Sequence, residues 1–270
     1  MEKFKIIIVA GSKGGTGKTE VAKALLDYMD LNNLPAFLVE TDTSTFDVGT
    51  PYLKNMRPDG TPYVLGKVID LDHVDGWITL INETDAHPDK HIVINTGARN
   101  DKGIADNADL LAESLEPLNR ELVTLWVASQ LTESLRLCKK YMRTVPFGTL
   151  HMILNGRWGK RDIFKIYDNS ALKKAVEKQG LTLYFPEVAE RVASAMRQQE
   201  LPIAAAKETF PKGEGFEITR WRKACAKVFD EIMSYEPRPN VDAVMDDGTD
   251  DGVTDDDGID IDGTDDSIGE

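Results

Sequence analysis

Only two cysteines occur in 270 residues, Cys138 and Cys225, far apart and without a CxxC or Cys/His cluster. That scarcity excludes a disulfide framework and a structural zinc site, and the expected compartment is a reducing cytoplasm. His73, His87, His91 and His151 form no HExxH motif, and each reads as a surface or core residue rather than a ligand or base. No G-x-S-x-G nucleophile elbow is present. No stretch approaches 18 apolar residues, and the run after the first lysines is too short for a signal peptide, so no membrane partner is expected.

Charge is unevenly placed along the chain. From Asp242 onward there are thirteen Asp or Glu and no Lys or Arg, so a net charge of −14 falls to about −1 once that segment is set aside. The segment is Asp, Gly and Thr with few apolar residues, and "DDGTDD" is nearly repeated as "DGTDD". Such a composition cannot bury enough surface to order itself, and residues 236–270 are expected to be a disordered acidic tail on a domain of residues 1–235. "DDDGIDIDG" lacks the EF-hand spacing, which argues against calcium there.

What is abundant is short β-branched runs. "KIIIVA" ends in glycines and reads as a strand buried on both faces, and further runs fall at 36–41, 91–98, 121–129, 149–156 and, more weakly, 181–187. Helical patterns at 18–31, 74–83, 106–116, 131–143, 169–179 and 187–199 alternate with them, and 216–235 reads as a last helix. This alternation predicts an α/β fold with a mostly parallel sheet and helices on both faces.

"GSKGGTGKT" (11–19) joins the first strand to the first helix. It is a phosphate loop related to G-x-x-x-x-G-K-[ST], in which glycines let backbone N–H groups wrap an anion at a helix N-terminus. Gly14, Gly15, Thr16 and Gly17 would cradle phosphate, Lys18 would bridge the β- and γ-phosphates, and Thr19 would ligate Mg²⁺.

"KGGTGKT" resembles the deviant Walker A motif of the ParA/MinD superfamily of P-loop ATPases. The resemblance covers most of residues 1–235 and implies ATP and Mg²⁺ as cofactors. It also implies a homodimer when ATP is bound, in which Lys13 reaches the partner's nucleotide, and slow hydrolysis stimulated by a protein partner. "FLVETDTSTFDVG" (37–49) sits where the family has a strand ending in D-x-D, its first switch. Asp42 then corresponds to the residue that positions the attacking water, with a role near Mg²⁺, while Glu40 replaces the first aspartate. "IVINTGA" resembles the Walker B strand, but Asn95 stands where an aspartate is expected, which implies weaker Mg²⁺ binding or slower turnover. Asn155, ending "MILN", and Pro186 in "FPEVAERV" occupy the positions of the family's adenine-contacting residues.

The family reading implies a role in partition, stability or transfer of a plasmid, or in cellular positioning. The basic residues Arg220, Arg222, Lys223 and Lys227 on the last helix are candidates for nonspecific DNA contact. A non-hydrolysing nucleotide-dependent scaffold and a delivery or cofactor-maturation ATPase are the alternatives. An amidotransferase-type ligase would need a second catalytic domain, which the sequence does not display.

Overall fold

The computed structural model describes residues 3–11, 15–42, 46–97 and 100–237. Seven parallel strands form one sheet in the order β3-β2-β4-β1-β5-β6-β7. Their bounds are β1 (Phe4–Gly11), β2 (Ala36–Glu40), β3 (Leu65–Val68), β4 (His91–Asn95), β5 (Arg120–Ala128), β6 (Thr149–Asn155) and β7 (Thr182–Phe185). Six of these lie where the apolar runs predict them; β3 overlaps the end of a Pro/Gly-rich connection, residues 50–66, where no strand is expected.

The helices divide between the two faces. On one lie α1 (Lys18–Leu31), α2 (Gly49–Lys54), α8 (Glu190–Gln198), α9 (Ile203–Thr209) and α10 (Lys212–Met233). On the other lie α3 (Val74–Ala86), α4 (Asp101–Leu115), α5 (Thr132–Thr144), α6 (Lys165–Asp168) and α7 (Ala171–Gln179). The division follows from the period of a strand: Ile7 and Val9 of β1 pack with α1 and α10, while Ile6, Ile8 and Ala10 pack toward the opposite helices. Both faces of β1 are therefore apolar, as a continuous Ile/Val run requires.

β1 is central, with β2, β3 and β4 to one side and β5, β6 and β7 to the other. Open parallel sheets bind their ligands outside the carboxyl ends of the strands where the chain changes direction, which here is the end of β1 at Gly11.

α10 is held to α1 by a buried ion pair. Arg222 donates through Nε and a terminal nitrogen to Asp27 at 2.7 and 2.9 Å, with only 12% and 5% of the two side chains exposed. This corrects the expectation that Arg222 belongs to a solvent-facing basic stripe: the bidentate fork turns it inward. Arg220 is paired with Glu217 one turn away, at 2.7 Å.

Candidate functional site

The phosphate loop is shaped by contacts that leave no room for side chains. A Cβ on Gly11 would stand 2.7 Å from the Val127 carbonyl, and one on Gly17 only 2.0 Å from Asn155 Nδ2. Gly15 and Gly17 also have φ of +87° and +94°, the left-handed region that glycine adopts without strain. Gly17 passes directly into α1, so Lys18 and Thr19 sit in its first turn, at the helix's positive end. Lys18 is buried and Thr19 half-buried. Lys13 and Gly14 lie outside the described residues.

A cleft of about 400 Å³ opens above the loop, and Gly15, Thr16, Gly17, Lys18, Thr19, Asp42 and Asn95 all line it. Residues from the loop after β1, the first turn of α1, the segment after β2 and the end of β4 thus converge on one space.

Glu40 organises the far wall. It is fully buried, and its Oε2 accepts the N–H groups of Val48 and Gly49 at 3.1 and 3.0 Å, while Oε1 accepts that of Asp42 at 3.2 Å. Asn95 completes the set, donating through Nδ2 to Oε1 at 2.9 Å. Burial pushes the Glu40 carboxyl up, and the Asn95 amide and the three backbone donors oppose it. A carboxylate that accepts four donors fixes the amide's orientation, with nitrogen toward Glu40. Asn95 Oδ1 is then left, buried and without a hydrogen-bond partner among the described residues.

The segments after β2 and β4 are laced together beside this pair. Thr41 Oγ1 donates to the Asn95 carbonyl at 3.0 Å, and the Gly97 N–H reaches both Thr41 Oγ1 and Asn100 Oδ1, at 2.9 and 2.7 Å. Asn100 Nδ2 donates to Asp72. Sequence reasoning missed this lacing, because Thr41, Asp72 and Asn100 belong to no phosphate-loop pattern.

Asn155 has its side chain committed to the loop. Nδ2 donates to the Thr16 carbonyl at 2.8 Å, and Oδ1 accepts the Arg157 N–H at 3.0 Å. Together with Pro186, whose carbonyl accepts from Trp221, it lines a recess of only about 20 Å³, room for one water and not for a purine. Between recess and cleft, Glu20 is bridged by Arg197 at 3.1 Å and by Arg157 at 3.6 Å. Neither arginine carried a sequence signal. Lys23 did, since it lies one turn below Thr19 on α1 and so faces the same cleft. Burial lowers its pKa, with Glu20 and Asp47 opposing.

The chain is 37% identical over 229 residues to protein MobD of Acidithiobacillus ferrooxidans, a match that spans 84% of this chain and 97% of MobD. The chain belongs to the MobD family. No protein-family model matches it.

Solved structures establish the fold of this MobD-family chain as that of the MinD/ParA-like P-loop ATPases. MinD in the MinC:MinD cell division complex of Aquifex aeolicus superposes with a TM-score of 0.54, at 15% identity over 86% of this chain and 96% of that one. The ATP complex of a McdA variant from Cyanothece gives 0.54, at 15% identity over 87% and 99%. The chain thus has a nucleotide-hydrolase fold, and its cleft lies where that fold's strand ends meet. Among the described residues no helix is long and apolar enough to cross a membrane.

Proposed function

We propose that this protein is an ATP-dependent molecular switch that dimerises when ATP-bound and hydrolyses slowly, with a protein partner as stimulant. The observation that carries the reading is the convergence of the Gly15–Thr19 loop, Asp42 and Asn95 on one cleft. Lys18 would neutralise phosphate charge, and the backbone N–H groups of the loop would hold the β-phosphate. Asp42 would orient water, and Lys13 would report on the other subunit's nucleotide. Asn155 would act at the phosphate end, by holding the loop through the Thr16 carbonyl. ATP bound in the McdA structure, and MinC bound to MinD, support a nucleotide and a protein partner for this chain as well.

The residues present fit a nucleotide-borne Mg²⁺ rather than a protein-held one. No group of three acidic, His or Cys side chains that could hold a metal occurs among the described residues, as expected for an ion that relies on phosphate oxygens and water. Thr19 and the orphaned Asn95 Oδ1 would face its shell, with Asp42 acting through water. When bound, the ion would supply neutralisation of phosphate charge.

The relationship to MobD leads us to favour plasmid mobilisation over partition or positioning as the setting. A cytoplasmic location and a separate acidic tail from residue 236 belong to the same proposal. The deciding experiment is molar mass in solution with ADP and with ATP plus Mg²⁺, for wild type and Lys13→Ala. A dimer seen only with ATP and lost in the variant supports the switch; a monomer throughout, with ATP still bound, refutes it.

One observation favours a second reading. Asn95 brings no charge to the cleft and its nitrogen is committed to Glu40, which fits a scaffold that binds ATP without turnover. Absence of phosphate release with any partner present, at normal ATP affinity, would select it.

A further inference from the structure

Beside the phosphate loop, the groups that could read the edge of a base already have partners in the protein. Asn155, 3% exposed, has its nitrogen on the Thr16 carbonyl at 2.8 Å and its oxygen on the Arg157 N–H at 3.0 Å. The Pro186 carbonyl accepts the Trp221 indole N–H at 2.8 Å. The recess that Asn155, Pro186 and Trp221 line holds about 20 Å³, the space of a single water. A site rejects a wrong ligand strongly when its own buried donors and acceptors pair with the right one and are stranded by the competitor. Here those groups stay paired whichever base is present, so none is stranded by an exchange.

Two flat cations stand between that recess and the loop. Arg197 of α8 donates through one terminal nitrogen to Glu20 at 3.1 Å and through the other to Glu190 at 2.6 Å. Arg157, which follows β6, lies 3.6 Å from Glu20. Both arginines line the cleft, and their side chains are 39% and 43% exposed. A guanidinium whose N–H edge is held by two carboxylates has its charge offset and its planar faces left to stack. Stacking tolerates every base, because each has a π-face. Glu20 belongs to the first turn of α1, directly after Thr19, so it fixes this platform relative to the loop.

We propose, resting on the nucleotide reading above, that the cleft takes nucleoside triphosphates with little regard to the base. The Gly15–Thr19 loop holds the triphosphate, and the base lies face-on against Arg197 and Arg157. The phosphates then set the ligand class, while the two arginines set how firmly any base is held. A phosphate contact by these arginines is the poorer geometry, since Glu20 and Glu190 already meet their charge.

The test is displacement of a ribose-labelled fluorescent ATP analogue from the full chain, with Mg²⁺ present, by ATP, GTP, CTP and inorganic tripolyphosphate. Wild type is compared with Arg157→Ala, Arg197→Ala and Arg197→Lys, the folding of each checked by circular dichroism. In wild type the three nucleotides are expected to compete within about threefold of one another, and all of them more tightly than tripolyphosphate. Arg197→Ala should weaken the three together by roughly five- to tenfold and leave tripolyphosphate within about twofold, with Arg157→Ala acting in the same direction. Arg197→Lys keeps the charge but not the plane and should give no rescue. A preference for ATP over GTP and CTP of more than about tenfold overturns the inference and leaves the switch standing. Equal losses of nucleotides and tripolyphosphate in Arg197→Ala, or rescue by Arg197→Lys, would place that arginine on phosphate and overturn the stacking. If the analogue does not bind wild type at all, the phosphate-loop reading falls and this inference falls with it.

Discussion

Asn95 Nδ2 stands 2.9 Å from Glu40 Oε1, so a neutral side chain at the end of β4 is tied to a buried carboxylate at the end of β2. The negative charge of this wall sits on β2, and Asn95 passes its position on to the cleft. Asn95→Asp would set two carboxylates in contact inside a buried site, and one of them must then hold a proton. The expected result is a stability loss on the order of 3 kcal/mol at neutral pH, the scale for a buried uncompensated charge. Glu40→Gln together with Asn95→Asp restores one donor and one acceptor and should recover most of that loss. Chemical denaturation of the four proteins checks it; a double variant no better than Asn95→Asp would show that the pair is not coupled.

Asn155 lies against the loop, and its substitution should therefore act at the phosphate end. Asn155→Ala leaves the Thr16 carbonyl without its donor, a cost of about 1–3 kcal/mol, or roughly 5- to 150-fold in nucleotide affinity. ATP and GTP should weaken together, as titration with fluorescent analogues would reveal. A selective loss of ATP alone would instead assign the residue to reading the base.

The pair Asp27–Arg222 predicts strong non-additivity. Asp27→Ala strands a guanidinium that is 12% exposed and should cost about 3–5 kcal/mol, whereas Asp27→Leu with Arg222→Met should be near neutral. Urea unfolding midpoints across the cycle measure this. Equal losses in single and double variants would mean that packing, and not the stranded charge, sets the cost.

Two buried imidazoles give the fold an acid limit. His91 Nδ1 accepts the Lys5 N–H and His151 Nδ1 accepts that of Leu181, each at 3.0 Å. Burial, with Lys5 and for His91 also Arg120 nearby, lowers both pKa values to about 4 from 6.5. The unfolded chain therefore binds protons that the fold refuses, so the stability these groups confer is present above pH 6.5 and is lost as pH falls toward 4. Each contributes on the order of 2–3 kcal/mol across that window. His151→Gln should flatten the fall between those limits, followed by denaturation at pH 7, 6 and 5; an unchanged slope would exclude this histidine as the source.

Those elements whose chemistry is local were legible in the sequence. The runs that became β1, β4, β5 and β6 are buried on both faces, and the loop glycines, Lys18 and Thr19 announce themselves by spacing. β3 was not, because an edge strand pairs on one side only and its Leu65, Lys67 and Val68 are exposed, leaving no apolar signature. Gly66, inside it, is demanded by the Leu38 carbonyl 2.3 Å from where a Cβ would be, a tertiary fact with no local trace. The same holds for Arg222, whose charge looked like surface until α1 supplied Asp27, and for the Glu20 bridges, which join elements that only the fold makes neighbours.

The anchoring of the loop by Asn155 also orders events during synthesis. Thr16 and Asn155 are 139 residues apart, and β1 must wait for β4 and β5 to flank it. At about 5–20 residues per second a ribosome needs roughly seven to thirty seconds to cover that gap. The glycine loop, among the first residues made, thus remains an unfinished anion site until more than half of the polypeptide has been translated. β1 pairs with residues 86 and 116 positions away, Ile6 with Ile92 and Phe4 with Arg120, which makes slow refolding of the full chain the natural counterpart.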